Sequence, residues 1–277
     1  MIYKLKHLAY VLKVNPKELE RIPENIDRYY YERSIPKYNQ DGSPKISFDG
    51  SPKVRIINPS TARLKVIQSR ILKRILNRLP IPDYAYGGVS GRDNVANAKR
   101  HQGKKFKFQT DIQNFFPSIS YKRVYEMFRT QGFSPDIARI LTQLTTYKGR
   151  LPQGTPTSPL LSNLVFIEIG NKLQDLAADN DITFSTFIDD LSFSSSVDFK
   201  YMVPKILDVV VDDGFRINPK KTFYKSKPID ITGVSVRNNM VDVTDEFKMK
   251  LSNSQGKTQE QIKGELLYRE RVLATNN

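Results

Sequence analysis

Residues 182–196 read ITFSTFIDDLSFSSS, two β-type runs that meet at Asp189 and Asp190. An Asp pair at a turn is ordinarily turn chemistry, because Asp tolerates tight turns and hydrogen-bonds its own backbone. Here the pair is embedded among apolar and β-forming residues, where an unneutralised charge is costly. Upstream, KFKFQTDIQNFF (residues 105–116) alternates Phe106, Phe108, Thr110 and Ile112 with Lys and Gln. That is the pattern of a half-buried strand leading into Asp111, with Pro117 as its stop. Three carboxylates can thus come to one edge of a sheet. Hard cations such as Mg2+ take oxygen ligands, and two of them about 4 Å apart can activate a hydroxyl and neutralise a leaving pyrophosphate.

Outward from these strands, residues 1–35 predict one or two short helices broken at Pro16 and Pro23. Residues 38–59 carry two Gly-Ser-Pro turns around short β-type runs, which is hairpin chemistry. Ser60 to Leu79 has apolar residues at Leu64, Ile67, Ile71, Ile75 and Leu79 with Arg and Lys between them, an amphipathic basic helix. PIPDYAYGGVSGRDN (80–94) is a loop and NVANAKRHQGKK (94–105) a short helix ending near Gly103. Tyr121 to Leu144 is helical in pattern, and LPQGTPTSP (151–159) is a Pro/Gly loop. Ser158 can cap the helix that follows, with Pro159 in its first turn. A helix from about Tyr201 to Val211, the turn NPKK, the strands FYKS and DITGVSVRNN, and a helix near Gln259 to Val272 complete the chain. This order predicts an α+β fold, a small antiparallel sheet backed by helices.

The 277 residues carry a formal charge of +15, are 39% hydrophobic and include no Cys and no Trp. A chain of this length buries a sizeable core, so disordered and disulfide-stapled classes fall away, as do thiolate chemistry and membrane spans. The start, MIYKLKHLAYVLKVNPKELE, does not read as a signal peptide, and the expected compartment is the cytoplasm. Residues 1–110 hold a net +14, residues 111–231 are neutral and the rest carry +1. Basic residues interleaved with Tyr84, Tyr86 and Phe106 suit phosphate backbones with bases stacking nearby, although for any single Lys a solvated helix face is the plainer reading.

KFKFQTDIQNFFPSI (105–119), LPQGTPTSPLLSNLVF (151–166), FIDDLSFS (187–194) and GFRINPKKT (214–222) occur in the order and at about the spacings of the palm motifs of reverse transcriptases, which this chain resembles. VRIINPSTARLKVIQSRI (54–71) is similar to that family's fingers motif. Asn97-Ala98-Lys99-Arg100-His101 matches an NAxxH mark and Ile231-Thr232-Gly233 nearly matches a VTG mark, which together resemble the bacterial retron branch. Taken alone, the first could be an ordinary helix turn with His101 satisfying a local acceptor, and the second a strand ending at Gly.

The resemblance implies a right-hand polymerase fold with fingers and N-terminal helices in 1–105, a palm in 106–235 and a short thumb in 236–277. It implies two Mg2+ ions, with Mn2+ as a substitute, bridged by Asp111 and Asp189 and completed by Asp190 and the Ile112 carbonyl. Phe116 occupies the family's steric-gate position, whose alternative is core packing, a part better suited to Phe115. Gln153 and Gly154 match the nucleotide-pocket loop, and Arg55, with Lys53 as second choice, the residues that hold the triphosphate. Lys221 would be a general acid, with Lys220 beside it as the competing choice. Asn97, His101, Thr232 and Gly233, with Arg70 and Arg74 of the basic helix, would bind RNA.

The implied activity is RNA-directed DNA synthesis on a cognate structured non-coding RNA that also supplies the priming 2′-hydroxyl. The product would be branched, RNA-linked single-stranded DNA in antiphage defence. Partners would be that RNA, the RNA–DNA hybrid, dNTPs and an effector protein, with no membrane. The family's tyrosine before the Asp pair is here Phe187, which keeps the ring and loses the hydroxyl. The rivals are a group II intron-like or other defence-associated reverse transcriptase, and a non-catalytic RNA-binding protein on a relic palm.

Overall fold

The computed structural model describes residues 2–38, 43–253 and 256–276. The chain opens with helices α1 (Leu5–Leu12) and α2 (Pro16–Glu24), strands β1 (Arg33–Pro36) and β2 (Val54–Ile57) and helix α3 (Ala62–Arg74). Helix α4 (Asn94–Lys99) and strand β3 (Phe106–Asp111) follow, then helices α5 (Phe115–Ser118), α6 (Tyr121–Thr130), α7 (Pro135–Thr145) and α8 (Ser158–Ala178). Strands β4 (Thr183–Phe187) and β5 (Asp190–Ser195), helix α9 (Val203–Asp212) and strands β6 (Phe223–Lys225), β7 (Ile229–Ile231), β8 (Val234–Val236) and β9 (Val241–Val243) lead to helices α10 (Asp245–Ser252) and α11 (Gln259–Ala274). None of the described helices is long and apolar enough to cross a membrane. Two compact units result, Met1–Ile81 with Asn114–Phe166, and Pro82–Gln113 with Ile167–Asn277.

In the first unit α1, α2, α3 and α7 share a core of Leu8, Leu12, Leu19, Ile22, Leu64, Ile67, Ile71, Leu141 and Leu144, all buried. Gln68 is buried among them and fully used: it donates to Tyr30 Oη and Leu144 O, both at 2.9 Å, and accepts from Ser60 Oγ at 2.7 Å. Pro16 does not break a helix but starts one. Its missing N–H falls where the first turn has no partner, and Asn15 caps by accepting from Lys17 N. Pro23 lies inside the last turn of α2 rather than ending it. The helical pattern of 121–144 is two helices, because Gly132 adopts φ 82° and Pro135 begins α7. The expected hairpin is the antiparallel pair β1–β2, extended by bridges Tyr38–Pro44 and Ile46–Pro52; Gly42 of its first Gly-Ser-Pro turn lies outside the described residues.

The second unit contains an antiparallel sheet in the order β4-β5-β3-β6 and a smaller one in the order β7-β8-β9. Phe184 and Phe193 stack at 4.7 Å, with Phe108 at 5.8 Å from Phe193. β3 departs from the half-buried expectation, since every residue from Lys107 to Asp111 is buried. Lys107 is 1% exposed and donates to Lys104 O at 2.6 Å, and burial lowers its pKa. The pattern missed β9 and α10. Val241 and Val243 of β9, with Val272 of α11, Val95 and Ala98 of α4 and Ile229, Ile231, Val234 and Val236, make a second apolar cluster.

Arg70 and Arg74 answer a local need. α1 has no basic residue in its own last turn, and Lys13 ends it in the left-handed region at φ 52°. Arg70 Nη1 donates to Leu12 O at 3.1 Å and Lys13 O at 2.7 Å, and Arg74 Nη1 to Val11 O at 2.8 Å. Two guanidiniums from α3 therefore satisfy the orphan carbonyls and oppose the negative end of the α1 dipole. Arg70 and Arg74, expected to bind RNA, thus also have a structural role through one nitrogen each. Replacing both by Ala is expected to cost about 1 to 2 kcal/mol of stability, read from denaturant unfolding, whereas Lys73→Ala with Arg78→Ala should cost less. Equal losses from the two pairs would contradict the capping role.

Candidate active site

Antiparallel register sets Asp111, the last residue of β3, directly opposite Asp190, the first of β5. Asp189 precedes it in the two-residue turn between β4 and β5, where Phe187 pairs with Asp190. Ile112 N donates to Asp189 O at 2.9 Å, so the chain leaving β3 is tied to that turn. Asp111 is 4% exposed. Burial first, then repulsion from Asp189 and Asp111, pushes the Asp190 carboxyl up to about 6, against the pull of Lys221.

Residues Arg216–Asn218 run alongside the end of β3: Gln113 N donates to Arg216 O at 2.7 Å and Asn218 N to Asp111 O at 2.9 Å. This places Asn218 Nδ2 2.9 Å from Asp111 Oδ1 and Lys221 Nζ 2.6 Å from Asp111 Oδ2. Lys221, rather than Lys220, is therefore the lysine that reaches the carboxylates. Burial works against its charge, but the Asp111 hydrogen bond and the charges of Asp190, Asp111 and Asp189 outweigh it and hold its pKa above the usual value. Asn218 was legible only as the turn former of Asn-Pro-Lys-Lys; it has that role too, accepting from Lys220 N.

The donor set fits a hard divalent cation. It is all oxygen, largely buried, and its mutual repulsion is what a cation relieves. Among the described residues no three acidic or imidazole side chains form a ready-made cage.

The turn carrying Asp189 is strained. Ile188 adopts φ 61°, at the first central position where such hairpins favour Gly. A β-branched residue there costs about 1 to 3 kcal/mol and persists only where its surroundings hold it. The segment taken for a loop, 84–87, supplies that hold. It runs beside β4, with Tyr86 N donating to Thr186 O at 2.9 Å and Thr186 N to Tyr84 O at 2.8 Å. Tyr84 Oη reaches Asn171 Oδ1 at 2.9 Å on α8. Gly87 then lies so close that a Cβ would fall 2.8 Å from Ile188 N and 2.5 Å from its Cγ1. Tyr84, expected beside stacking bases, is instead 4% exposed and given over to this brace, and Gly87 had no signal beyond loop composition.

The remaining nucleotide-pocket candidates belong to the other unit. Phe115 is buried, edge-on to Phe166 at 5.7 Å, and so has the core-packing part, while Phe116 beside it is half-buried. Asn58 N donates to Gln153 O at 2.8 Å, and Gly154, at φ 94°, has its Cβ position 3.4 Å from Ile57 Cδ1 at the end of β2. Arg55 and Lys53 are exposed on the hairpin.

Asn97 and His101 are both 0% exposed, so direct RNA contact is corrected for these two. Ser185 Oγ donates to Asn97 Oδ1 at 2.6 Å and lies 2.7 Å from His101 Nε2, and Ser194 Oγ lies 2.7 Å from Nδ1. Because the Ser185 hydroxyl proton is committed to Asn97, Nε2 carries the imidazole proton and Nδ1 accepts from Ser194. Asn97 Nδ2 in turn donates to Thr232 Oγ1 at 3.3 Å, and Asn94 Nδ2 to Thr232 O at 3.1 Å. These bonds hold Thr232 at φ 48°, followed by Gly233 at φ 81°, in the two-residue β7–β8 turn, where Thr232 is half-buried and Gly233 exposed. The two sequence marks are thus one hydrogen-bonded assembly joining α4, β4, β5 and that turn.

Burial, with smaller contributions from Arg100 and Lys107, lowers the His101 pKa from 6.5 to about 3. The unfolded imidazole gains a proton as pH falls through 6.5 while the folded one does not until about 3, so stability present above 6.5 is lost below it. The expected slope approaches about 1.4 kcal/mol per pH unit. Asp190 has the opposite sign in the same window, so the measurement is the difference between wild type and His101→Gln in unfolding free energy from pH 7 to pH 5. Parallel curves would contradict the assignment.

A family model described as reverse transcriptase (RNA-dependent DNA polymerase) matches residues 35–236. The chain is 30% identical over 256 residues to the Retron Se72 reverse transcriptase of Salmonella heidelberg (strain 579083-10), covering 88% of this chain and 65% of that protein. It is 30% identical over 170 residues to the Retron Ec86 reverse transcriptase of Escherichia coli, 61% of this chain and 53% of that protein. With the Retron Mx162 reverse transcriptase of Myxococcus xanthus it shares 29% over 224 residues, 70% and 44% of the two. The chain therefore spans 44% to 65% of the length of these relatives. Among solved structures, the foamy viral protease-reverse transcriptase dRH in complex with double-stranded DNA matches at TM-score 0.50 and 16% identity, over 88% of this chain and 38% of that one. That likeness concerns the fold, and it agrees with the right-hand α+β class expected from the motifs. With the carboxylates, Lys221, Gln153 and the β7–β8 turn all inside the matched span, the chain belongs to the reverse transcriptase (RNA-dependent DNA polymerase) family.

Proposed function

We propose that this chain is an RNA-directed DNA polymerase of the retron type. The observation that carries the reading is the pairing of Asp111 with Asp190 at the end of β3 and β5, with Asp189 in the adjoining turn and Lys221 on Asp111. Reverse transcriptases use divalent metal ions, and the ion proposed here is Mg2+, two per site, with Mn2+ able to substitute. When bound, such ions lower the pKa of an attacking hydroxyl and offset charge on the leaving pyrophosphate. Asp111, Asp189, Asp190 and the Ile112 carbonyl are the groups that would hold them. Lys221, holding its proton firmly beside Asp111, is suited to give it to the leaving group.

In the same proposal the half-buried ring of Phe116 excludes a ribose 2′-hydroxyl, which selects dNTPs. Gln153 and Gly154 line the nucleotide, and Arg55, with Lys53 beside it, holds the triphosphate through a fork-shaped guanidinium. Fingers in 1–105, palm in 106–235 and thumb in 236–277 divide the labour. The template is a cognate structured RNA that also primes synthesis, the product is branched RNA-linked DNA, and the setting is antiphage defence in the cytoplasm with an effector protein. The retron names of the similar proteins favour this over an intron-type enzyme.

Asp189→Asn is expected to cut Mg2+-dependent dNTP incorporation on an RNA template about a hundredfold or more while leaving RNA affinity in place. Wild-type incorporation by that variant would remove the catalytic assignment, and tight RNA binding with no incorporation by either protein would favour the relic-palm alternative. Gly87→Ala, which forces the Ile188 backbone to move, is expected to lower the rate about tenfold or more with RNA affinity retained. An unchanged rate would show that the turn accommodates a methyl group.

A further inference from the structure

Besides Arg70 and Arg74, whose Nη1 atoms are bound to carbonyls, the N-terminal charge excess includes residues that line the groove between α1 and α3. Lys6 and Tyr10 lie on one face of α1 at i and i+4, Lys13 follows directly after its last residue, and Arg78 lines the same groove from beyond α3. Lys6, Lys13 and Arg78 are exposed, and Tyr10 is 81% exposed. Among the described residues that line this groove there is no Asp or Glu.

The capped helix end makes the groove uniformly positive. A bare helix C-terminus carries a partial negative charge that repels phosphate. Here Arg70 and Arg74 occupy those carbonyls, with Arg74 also lining the groove, so the last turn of α1 no longer opposes an anion. Cations on either side of an exposed aromatic are the two parts of a single-strand site: the charges follow the backbone, and a base with a free face stacks on the ring. At 1.5 Å per residue, Lys6 and Tyr10 are separated by about 6 Å along the axis, and Lys13 lies just past the helix end. A duplex, with its bases already stacked, has nothing to offer that ring.

We propose that the α1–α3 groove binds a single-stranded RNA segment, with Tyr10 as the base-stacking platform and Lys6, Lys13 and Arg78 as phosphate contacts. It rests on the proposed handling of RNA, but involves none of the residues assigned to nucleotide addition.

The test is fluorescence anisotropy of the full chain with a labelled 15-nucleotide oligo(U) across a salt series, with thermal melts to verify folding. Tyr10→Ala should weaken binding about 5- to 150-fold with the salt slope kept. Lys6→Ala with Lys13→Ala should lower the slope by about 1.4, at roughly 0.7 per lost phosphate contact. Lys200→Ala with Lys205→Ala, exposed lysines at and near α9, should change neither. Wild-type affinity for Tyr10→Ala, an equal loss in the Lys200/Lys205 pair, or the same dependence on Tyr10 for a hairpin duplex or for vesicles containing 30% phosphatidylserine would overturn the proposal. Asp189→Asn, assayed alongside, separates the two readings. Normal dNTP incorporation by wild type with groove variants that bind normally removes the groove alone. Groove-dependent oligo(U) binding by a wild type that incorporates no dNTP removes the polymerase reading alone.

Discussion

Like charges brought close in a partly buried place repel one another, and the second unit is arranged around that cost. The β3–β5 register puts Asp111 against Asp190, and a two-residue turn adds Asp189. Everything nearby opposes their separation. Asn218 and Lys221 take one oxygen each of Asp111, the Ile112 amide takes the Asp189 carbonyl, and the 84–87 segment braces the turn from the far side. The raised Asp190 carboxyl is the part of the cost that these contacts leave unanswered, and it is also the part that a hard cation answers best.

The order of elements and the identity of the carboxylates were readable because they rest on local rules. Strand alternation, a Gly-Pro loop and a Ser-Pro helix start need only a few neighbouring residues to declare themselves. What escaped depends on partners remote in sequence. Lys107 looks like a solvent-facing residue until the fold buries it to 1% exposure with its ammonium on Lys104 O, and the ambiguity between Lys220 and Lys221 ends only when the Asn218 turn aims one of them at Asp111. PIPDYAYGG has the composition of a loop and becomes an edge of the sheet through hydrogen bonds to a residue 100 positions later, Tyr86 N to Thr186 O. Burial misled the reading in the other direction at Asn97 and His101, where polar side chains that looked like contact residues turned out to serve each other.

That assembly also explains why two short marks so far apart in the chain belong together. Thr232 is a poor choice for a left-handed turn position, and Asn94 and Asn97 compensate by holding both its hydroxyl and its carbonyl. Asn94 reaches Tyr268 of α11 as well, at 2.7 Å, so the C-terminal helix is fastened to the same few residues. A strained turn kept in shape by three elements is a rigid feature at the surface of the unit, whereas the buried imidazole behind it stays neutral at physiological pH.

Both compact units are discontinuous, and this sets the order in which a nascent chain can fold. Residues 1–81 emerge from the ribosome before α6 and α7, which belong to the same core, and β3 emerges before β5, its partner at 190–195. At about 5 to 20 residues per second, β3 spends on the order of 4 to 16 s as a strand with open hydrogen-bonding edges. Vectorial synthesis therefore exposes β3 to mispairing, which the +14 borne by residues 1–110 opposes by repulsion between chains.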